Sequence, residues 1–167
     1  MIYTLTVTAV WGHYLEEECA RILEIAEKAS LEQLHLAIQD AVSFGNDHPY
    51  AFYDGRNYRH RKIRCADEDV AANWYSLERV WGMTKLSVVY PLHGLKLYYH
   101  FDFGDNWIFE IRKARKVKPV EAGVSYPRLI ESRGPVRVYL RGRRSGGPPL
   151  QCSKSIIRKH GTNEMTS

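Results

Sequence analysis

The chain has 167 residues, 44% of them apolar and 26% charged, with a formal net charge of +5. This fits one domain able to bury a full core and excludes a miniprotein that needs metals or disulfides to fold. Three cysteines, Cys19, Cys65 and Cys152, are too few and scattered for a disulfide framework and point to a reducing, cytoplasmic setting, while no long apolar run or basic-then-apolar leader suggests a membrane or a secretory route. Residues 1 to 132 carry 16 Lys and Arg against 18 Asp and Glu, a balance of −2, whereas residues 133 to 167 carry 8 against 1, a balance of +7. The basicity belongs to the tail, so an inference from net charge to a polyanionic partner applies to the folded part only through local clusters.

Tyr3, Leu5, Val7 and Ala9 alternate with threonines and predict a half-buried strand. The next segment fits two readings. Leu15, Cys19, Ile22, Leu23 and Ala26 fit a helical face, which propensity favours, and Cys19, Leu23 and Ile25 also fit strand spacing. From Ser30 the signal sharpens: Ser30 with Gln33 spells a capping box, and Leu31, Leu34, Ile38, Ala41 and Val42 form one apolar stripe that Gly45 should stop. Asn46 to Pro49 reads as a turn and Tyr50 to Tyr53 as a short strand. Asp54-Gly55 suggests another turn, and Ser76 to Trp81 and Leu86 to Tyr90 read as short helices.

In LKLYYHFDFGDNWIFEI, Leu95, Leu97, Tyr99, Phe101 and Phe103 alternate with Lys96, Tyr98, His100 and Asp102, and the alternation resumes at Trp107, Phe109 and Ile111. This predicts a hairpin. A three-residue loop would pair Phe103 with Trp107, Phe101 with Phe109 and Tyr99 with Ile111, keeping the large side chains on one face and setting His100 opposite Glu110 and Tyr98 opposite Arg112.

The segments CARILEIAEKASLEQLHLAIQDAVSFGNDHPYAFYDG, TKL, LKLYYHFDFGDNWIFEI and YPRLIESRG, with their LH, NDH-x-Y-x-F and FDFGD-x-W motifs, resemble the root-inducing-plasmid (pRiA-type) ORF-three-like family, also labelled TnpR-like passenger proteins of insertion elements. The resemblance covers about residues 2 to 134. It implies an α+β domain over residues 1–134, mostly antiparallel sheet with one main amphipathic helix over residues 30–44, with residues 18 to 25 as a strand and a β-grasp-like order as one arrangement. Members tend to end in a Pro-rich, often acidic segment. Here residues 135–167 are basic and rich in Gly, Pro, Ser and Arg, which predicts a disordered tail and fits a frameshifted or unrelated extension. The resolvase label brings no recombinase constellation with it, since neither an activated serine nor a tyrosine with basic partners appears as an ordered motif.

Three chemistries compete. Arg56, Tyr58, Arg59, Arg61, Lys62 and Arg64, near Tyr53, interleave aromatic rings with cations, and Arg112, Lys113, Arg115, Lys116 and Lys118 form a second run; stacking rings and phosphate-binding cations suit single-stranded or non-specific nucleic acid. The plain reading of each run is a solvated loop or strand end. The alternative is an enzyme or metal-dependent site built from His48, Asp102 and Asp105, for which no HExxH or paired CxxC provides support; His35, His100 and Asp47 complete the ligand-type residues, and His35 reads better as a packed core histidine. Asp102-Phe103-Gly104 spells the kinase magnesium tripeptide but lacks every companion motif, so it reads as a hairpin corner. No cofactor is expected. The combined expectation is a non-enzymatic accessory domain of a plasmid or insertion element that binds nucleic acid or a protein partner and no membrane.

Overall fold

Threonines alternating with apolar residues give β1 (Ile2–Trp11) two chemically distinct sides: Tyr3, Leu5, Val7 and Ala9 are buried, and Thr4, Thr6 and Thr8 are half-buried. The computed structural model describes residues 1–60, the backbone of 62–66, and residues 83–135. After β1 come β2 (Ala20–Ala26), α1 (Leu31–Val42), β3 (Tyr50–Gly55), β4 (Lys62–Ala66), the single-turn α2 (Leu86–Val89), β5 (Lys96–Phe101), β6 (Trp107–Lys113) and β7 (Arg128–Arg133). The seven strands form one sheet in the order β4-β3-β5-β6-β1-β2-β7. Every pairing in it is antiparallel, including that of β1 with β6 at its centre. The expected helix over Ser76–Trp81 lies outside the described residues, as does all but the first residue of the 135–167 tail.

The architecture is α+β, with α1 laid on one face of the sheet. Leu31, Leu34, Ile38 and Val42 join Leu5, Val7, Leu23, Ile25, Phe52, Leu97, Tyr99, Phe109 and Ile111 in one core. The capping box forms in both directions: Gln33 N–H donates to Ser30 Oγ at 3.1 Å and Ser30 N–H to Gln33 Oε1 at 3.0 Å. The helix ends earlier than Gly45, because Ser43 itself takes the left-handed conformation at φ 59°. Residues 20–26 are a strand against their helical propensity, since as β2 they pair with β1 on one side and β7 on the other and bury Leu23 and Ile25.

Two buried charges fasten β2 to its surroundings. Arg21 is 4% exposed. Its Nε donates to the Ala41 carbonyl at the end of α1 (2.8 Å), and one terminal nitrogen donates to the carbonyls of Ala20, Arg133 and Gly134. Glu24, 1% exposed, accepts from Arg128 Nε at 2.7 Å and from Lys118. Burial alone would raise the Glu24 pKa, but those hydrogen bonds and the two positive charges hold it below the ordinary range.

The β5–β6 hairpin corrects the expected register. Phe101 pairs with Trp107, Tyr99 with Phe109 and Leu97 with Ile111, so residues 102–106 form the loop. Asp102 sits at φ 49° and its Oδ1 accepts from Gly104 N–H (3.0 Å) and Asp105 N–H (3.2 Å), so the strand stops at Phe101 and Phe103 is left partly exposed in the turn. The parity survives a two-residue shift, and the large rings still face α1. The partners across the other face change: Tyr98 meets Glu110, and His100 meets Ile108. Asp54-Gly55 is likewise strand rather than turn, because Asn57 makes the turn: its Oδ1 accepts from the N–H groups of Arg59 (3.0 Å) and His60 (3.2 Å) while β3 runs extended through Gly55.

Gly134 follows β7 at φ 66°, where an added Cβ would lie 1.7 Å from the Glu18 carbonyl oxygen. Gly123, at φ 76°, has nothing within 4 Å of the same position. Gly134→Ala should therefore lower unfolding stability by more than about 2 kcal/mol, and Gly123→Ala by only about 1 kcal/mol, the left-handed term alone. Denaturant midpoints measure both, and equal losses would mean that the Glu18 contact is not made.

Candidate nucleic-acid interface

Of the side chains that the charge runs single out, Tyr58 and Arg112 lie on the face of the sheet away from α1. Tyr53, Tyr98 and Ile108 are buried there as a small cluster with Val10 and Tyr58 packed against it, and Tyr53 stacks on Tyr98 at 5.2 Å. Beside the cluster Glu110, 6% exposed, accepts from Lys96 Nζ at 3.0 Å and from Arg112 Nε, and lies 3.4 Å from the Tyr98 hydroxyl. Burial would push Glu110 up, but the Arg112 and Lys96 contacts bring it below the ordinary range. The same surroundings, burial foremost and then the Glu110 charge, push the Tyr98 phenol up to about 12.

The first basic run begins at the end of a sheet row that holds Lys96 and Arg112. Gly55 pairs with Lys96, Arg112 pairs with Thr6, and Lys96 and Arg112 share Glu110. Arg56 leaves the sheet directly after Gly55, and Arg56 and Arg59 are exposed and carry no ion pair among the described residues. Lys113 takes no part in this row: strand alternation turns it toward α1's side, where its ammonium lies 4.8 Å from the Tyr3 ring and 5.7 Å from the Tyr90 ring. Arg115 and Lys116 are exposed beyond the end of β6, and Lys118 is engaged by Glu24. Arg61 lies outside the described residues. Lys62 and Arg64 lie on β4, at the edge of the sheet.

Trp11 is the residue that the period-two reading misses. Its odd number assigns it to the core face with Tyr3, Leu5, Val7 and Ala9, but the register against β6 shifts between Ala9 and Trp11. The indole instead stacks on Tyr58 with centroids 6.1 Å apart and 17° between planes, and is 46% exposed. Lys96 was hidden differently, as one polar residue in an alternating strand.

The alternative residues converge in part. His48 Nδ1 hydrogen-bonds Asp47 Oδ1 at 2.8 Å, and its Nε2 lies 3.8 Å from Asp102 Oδ2, with the Phe101 ring edge-on at 5.9 Å. Asp102 already uses Oδ1 to hold the turn, and Asp105 acts on His48 through its charge. A small cavity lined by Tyr14, Leu15, Glu16, Glu17, Trp107 and Pro135 includes none of the three. Among the described residues no group of three His, Cys, Asp or Glu side chains is placed to hold a metal ion. His35 sits in the core, stacked on Tyr50 at 3.7 Å, within a closed ring of hydrogen bonds: Gln39 Nε2 donates to the Tyr99 hydroxyl (2.7 Å), Tyr99 to His35 Nδ1 (2.7 Å), His35 Nε2 to Asn46 Oδ1, and Asn46 N–H to Gln39 Oε1 (3.0 Å). Asn46 Oδ1 accepts only, which assigns the His35 proton to Nε2. The LH, NDH and FDFGD segments thus meet at one corner, where they lock α1 and its following turn onto β5.

The Asp47 hydrogen bond, opposed by burial and aided by the Asp102, Asp47 and Asp105 charges, raises the His48 pKa. By linkage the stabilisation is fully present below the unfolded imidazole value of about 6.5 and is lost as pH rises through the higher folded value. Imidazole titration by NMR should place His48 above about 6.5, with Asp47→Asn lowering it more than Asp102→Asn; a value at or below the ordinary one in the parent protein would contradict the contact.

None of the curated proteins matches this chain. A crystal structure of a protein of unknown function from Methanosarcina mazei Go1 superposes with a TM-score of 0.59 and 24% identity, covering 78% of this chain and 68% of that one, which supports the fold. No helix among the described residues is long and apolar enough to cross a membrane. The family described as plasmid pRiA4b ORF-3-like protein matches residues 2–136, close to the span of the motifs, and the chain belongs to that family.

Proposed function

We propose that this chain is a non-enzymatic, cytoplasmic accessory domain of a plasmid or insertion element that binds nucleic acid on the sheet face away from α1. The observation that carries the reading is the pair of Lys96 and Arg112 on one buried carboxylate, with Arg56 and Arg59 in the turn that follows Gly55, the strand partner of Lys96. Two cations on one buried carboxylate leave a positive excess, and Arg56 and Arg59 add to it without neutralising partners among the described residues. Cations in this arrangement gain affinity for a phosphate backbone by releasing its counterions. A protein partner on the same face is the competing binding reading. The enzymatic alternative at His48, Asp102 and Asp105 rests on the His48 to Asp102 approach of 3.8 Å, and Asp102's role in the turn weighs against it.

The full chain is the sample for the test, with the basic tail common to all variants. Replacing Arg56, Arg59 and Arg112 together with Gln should weaken binding to a labelled oligonucleotide and flatten the slope of log affinity against log salt by about 2, close to 0.7 per lost single-strand phosphate contact. Unchanged affinity and slope in a folded triple variant would contradict the assignment of binding to this face.

A further inference from the structure

We infer that Trp11, Tyr58 and Arg59 form a stacking platform for an unpaired base, so that the nucleic acid bound by this face is single-stranded; the inference rests on the polyanion-binding reading above and specifies its substrate class. Arg59 places its guanidinium 5.4 Å from the Tyr58 ring centroid and donates from Nε to the Tyr58 hydroxyl at 3.3 Å. Tyr58 in turn stacks on Trp11. The three planar groups form a continuous series, with charge at one end and a 46% exposed indole at the other.

The platform is built rather than incidental. Tyr58 is anchored by its backbone, whose carbonyl accepts from the Tyr53 hydroxyl at 3.0 Å, and by packing on the buried Tyr53, Tyr98 and Ile108 cluster. Asn57 fixes the following turn, and Gly55 permits the chain to fold back, since an added Cβ would lie 1.8 Å from the His60 carbonyl oxygen. On the other side the irregularity between Ala9 and Trp11 turns the indole to this face. Each device fixes a ring before any ligand arrives, which lowers the entropy lost on binding.

An exposed aromatic face beside arginines has its best complement in a base whose own face is open, with its phosphates within reach of Arg56 and Arg59. Duplex bases are already stacked on their neighbours and offer only their edges and backbone. An unpaired base next to phosphate is the chemistry that DNA and RNA share, and the two are the sources to be compared.

Full-chain protein, its Trp11→Ala and Trp11→Phe variants and the Arg56, Arg59 and Arg112 triple variant are titrated with labelled oligothymidylate, oligouridylate and a duplex of equal length. The expected result is a loss of about tenfold in single-strand affinity for Trp11→Ala, most of it restored in Trp11→Phe, with duplex affinity unchanged. Comparable losses on both single strands assign the base as the recognised group; a loss confined to one assigns that nucleic acid as the ligand. Single-strand affinity unaltered by Trp11→Ala, while the arginine triple variant is impaired, would overturn the platform and leave the charge-based reading standing. Equal losses on single strand and duplex would also overturn it, and no binding to any probe by the parent would overturn both.

Discussion

The β5–β6 register is the constraint on which both faces of the sheet depend, and the Asp102 turn fixes it. By spending one carboxylate oxygen on two backbone N–H groups and adopting a left-handed backbone, Asp102 ends β5 at Phe101 and commits five residues to the loop. On the helix side this sets Tyr99 against Phe109 and Phe101 against Trp107, and Phe44 stacks on Phe101 at 5.1 Å to close the core at the end of α1. On the opposite side it puts Glu110 between Lys96 and Arg112 rather than across from His100. The charge arrangement of the candidate interface is therefore a consequence of a turn at the far end of the hairpin.

Buried polar groups elsewhere act as fasteners. The His35, Tyr99, Gln39 and Asn46 ring links α1, β5 and the turn after α1 through consecutive hydrogen bonds, so that turn is held in place. Arg21 ties carbonyls from α1 and from the end of β7 to β2, and Glu24 gathers Lys118 and Arg128 on the same strand. An unpaired buried charge would be costly, and these two are surrounded by partners of opposite polarity. The edge strand β7 thus stays attached through side chains as well as its backbone ladder. This is a division of labour in which the helix side supplies apolar burial and the polar fasteners supply position.

Much of the fold was legible because its elements obey simple periods. Threonine alternation marks β1, the Ser30–Gln33 pair marks the start of α1, and the aromatic alternation marks the hairpin. The loop length was not legible: parity rules out a two-residue loop but treats three and five alike, and the Asp102 interaction that selects five is a side-chain choice invisible to periodicity. Residues 20–26 were ambiguous because their apolar spacing fits both helix and strand, and pairing with two neighbouring strands decides between them. For the candidate interface, the charge runs include Arg56, Tyr58, Arg59 and Arg112 and group Lys113 with Arg112, which alternation separates, while Lys96 and Trp11 lie outside them. Trp11 is the instructive case, since one irregularity in β1 moves a residue numbered for the core to the opposite face.

Backbone-to-backbone NMR contacts across the hairpin measure the central constraint most directly. The account predicts contacts of Tyr98 with Glu110 and of Phe101 with Trp107. Backbone contacts of Tyr98 with Arg112 and of Phe103 with Trp107 would instead indicate the three-residue loop, separate Glu110 from Lys96, and dissolve the row on which the binding face is built.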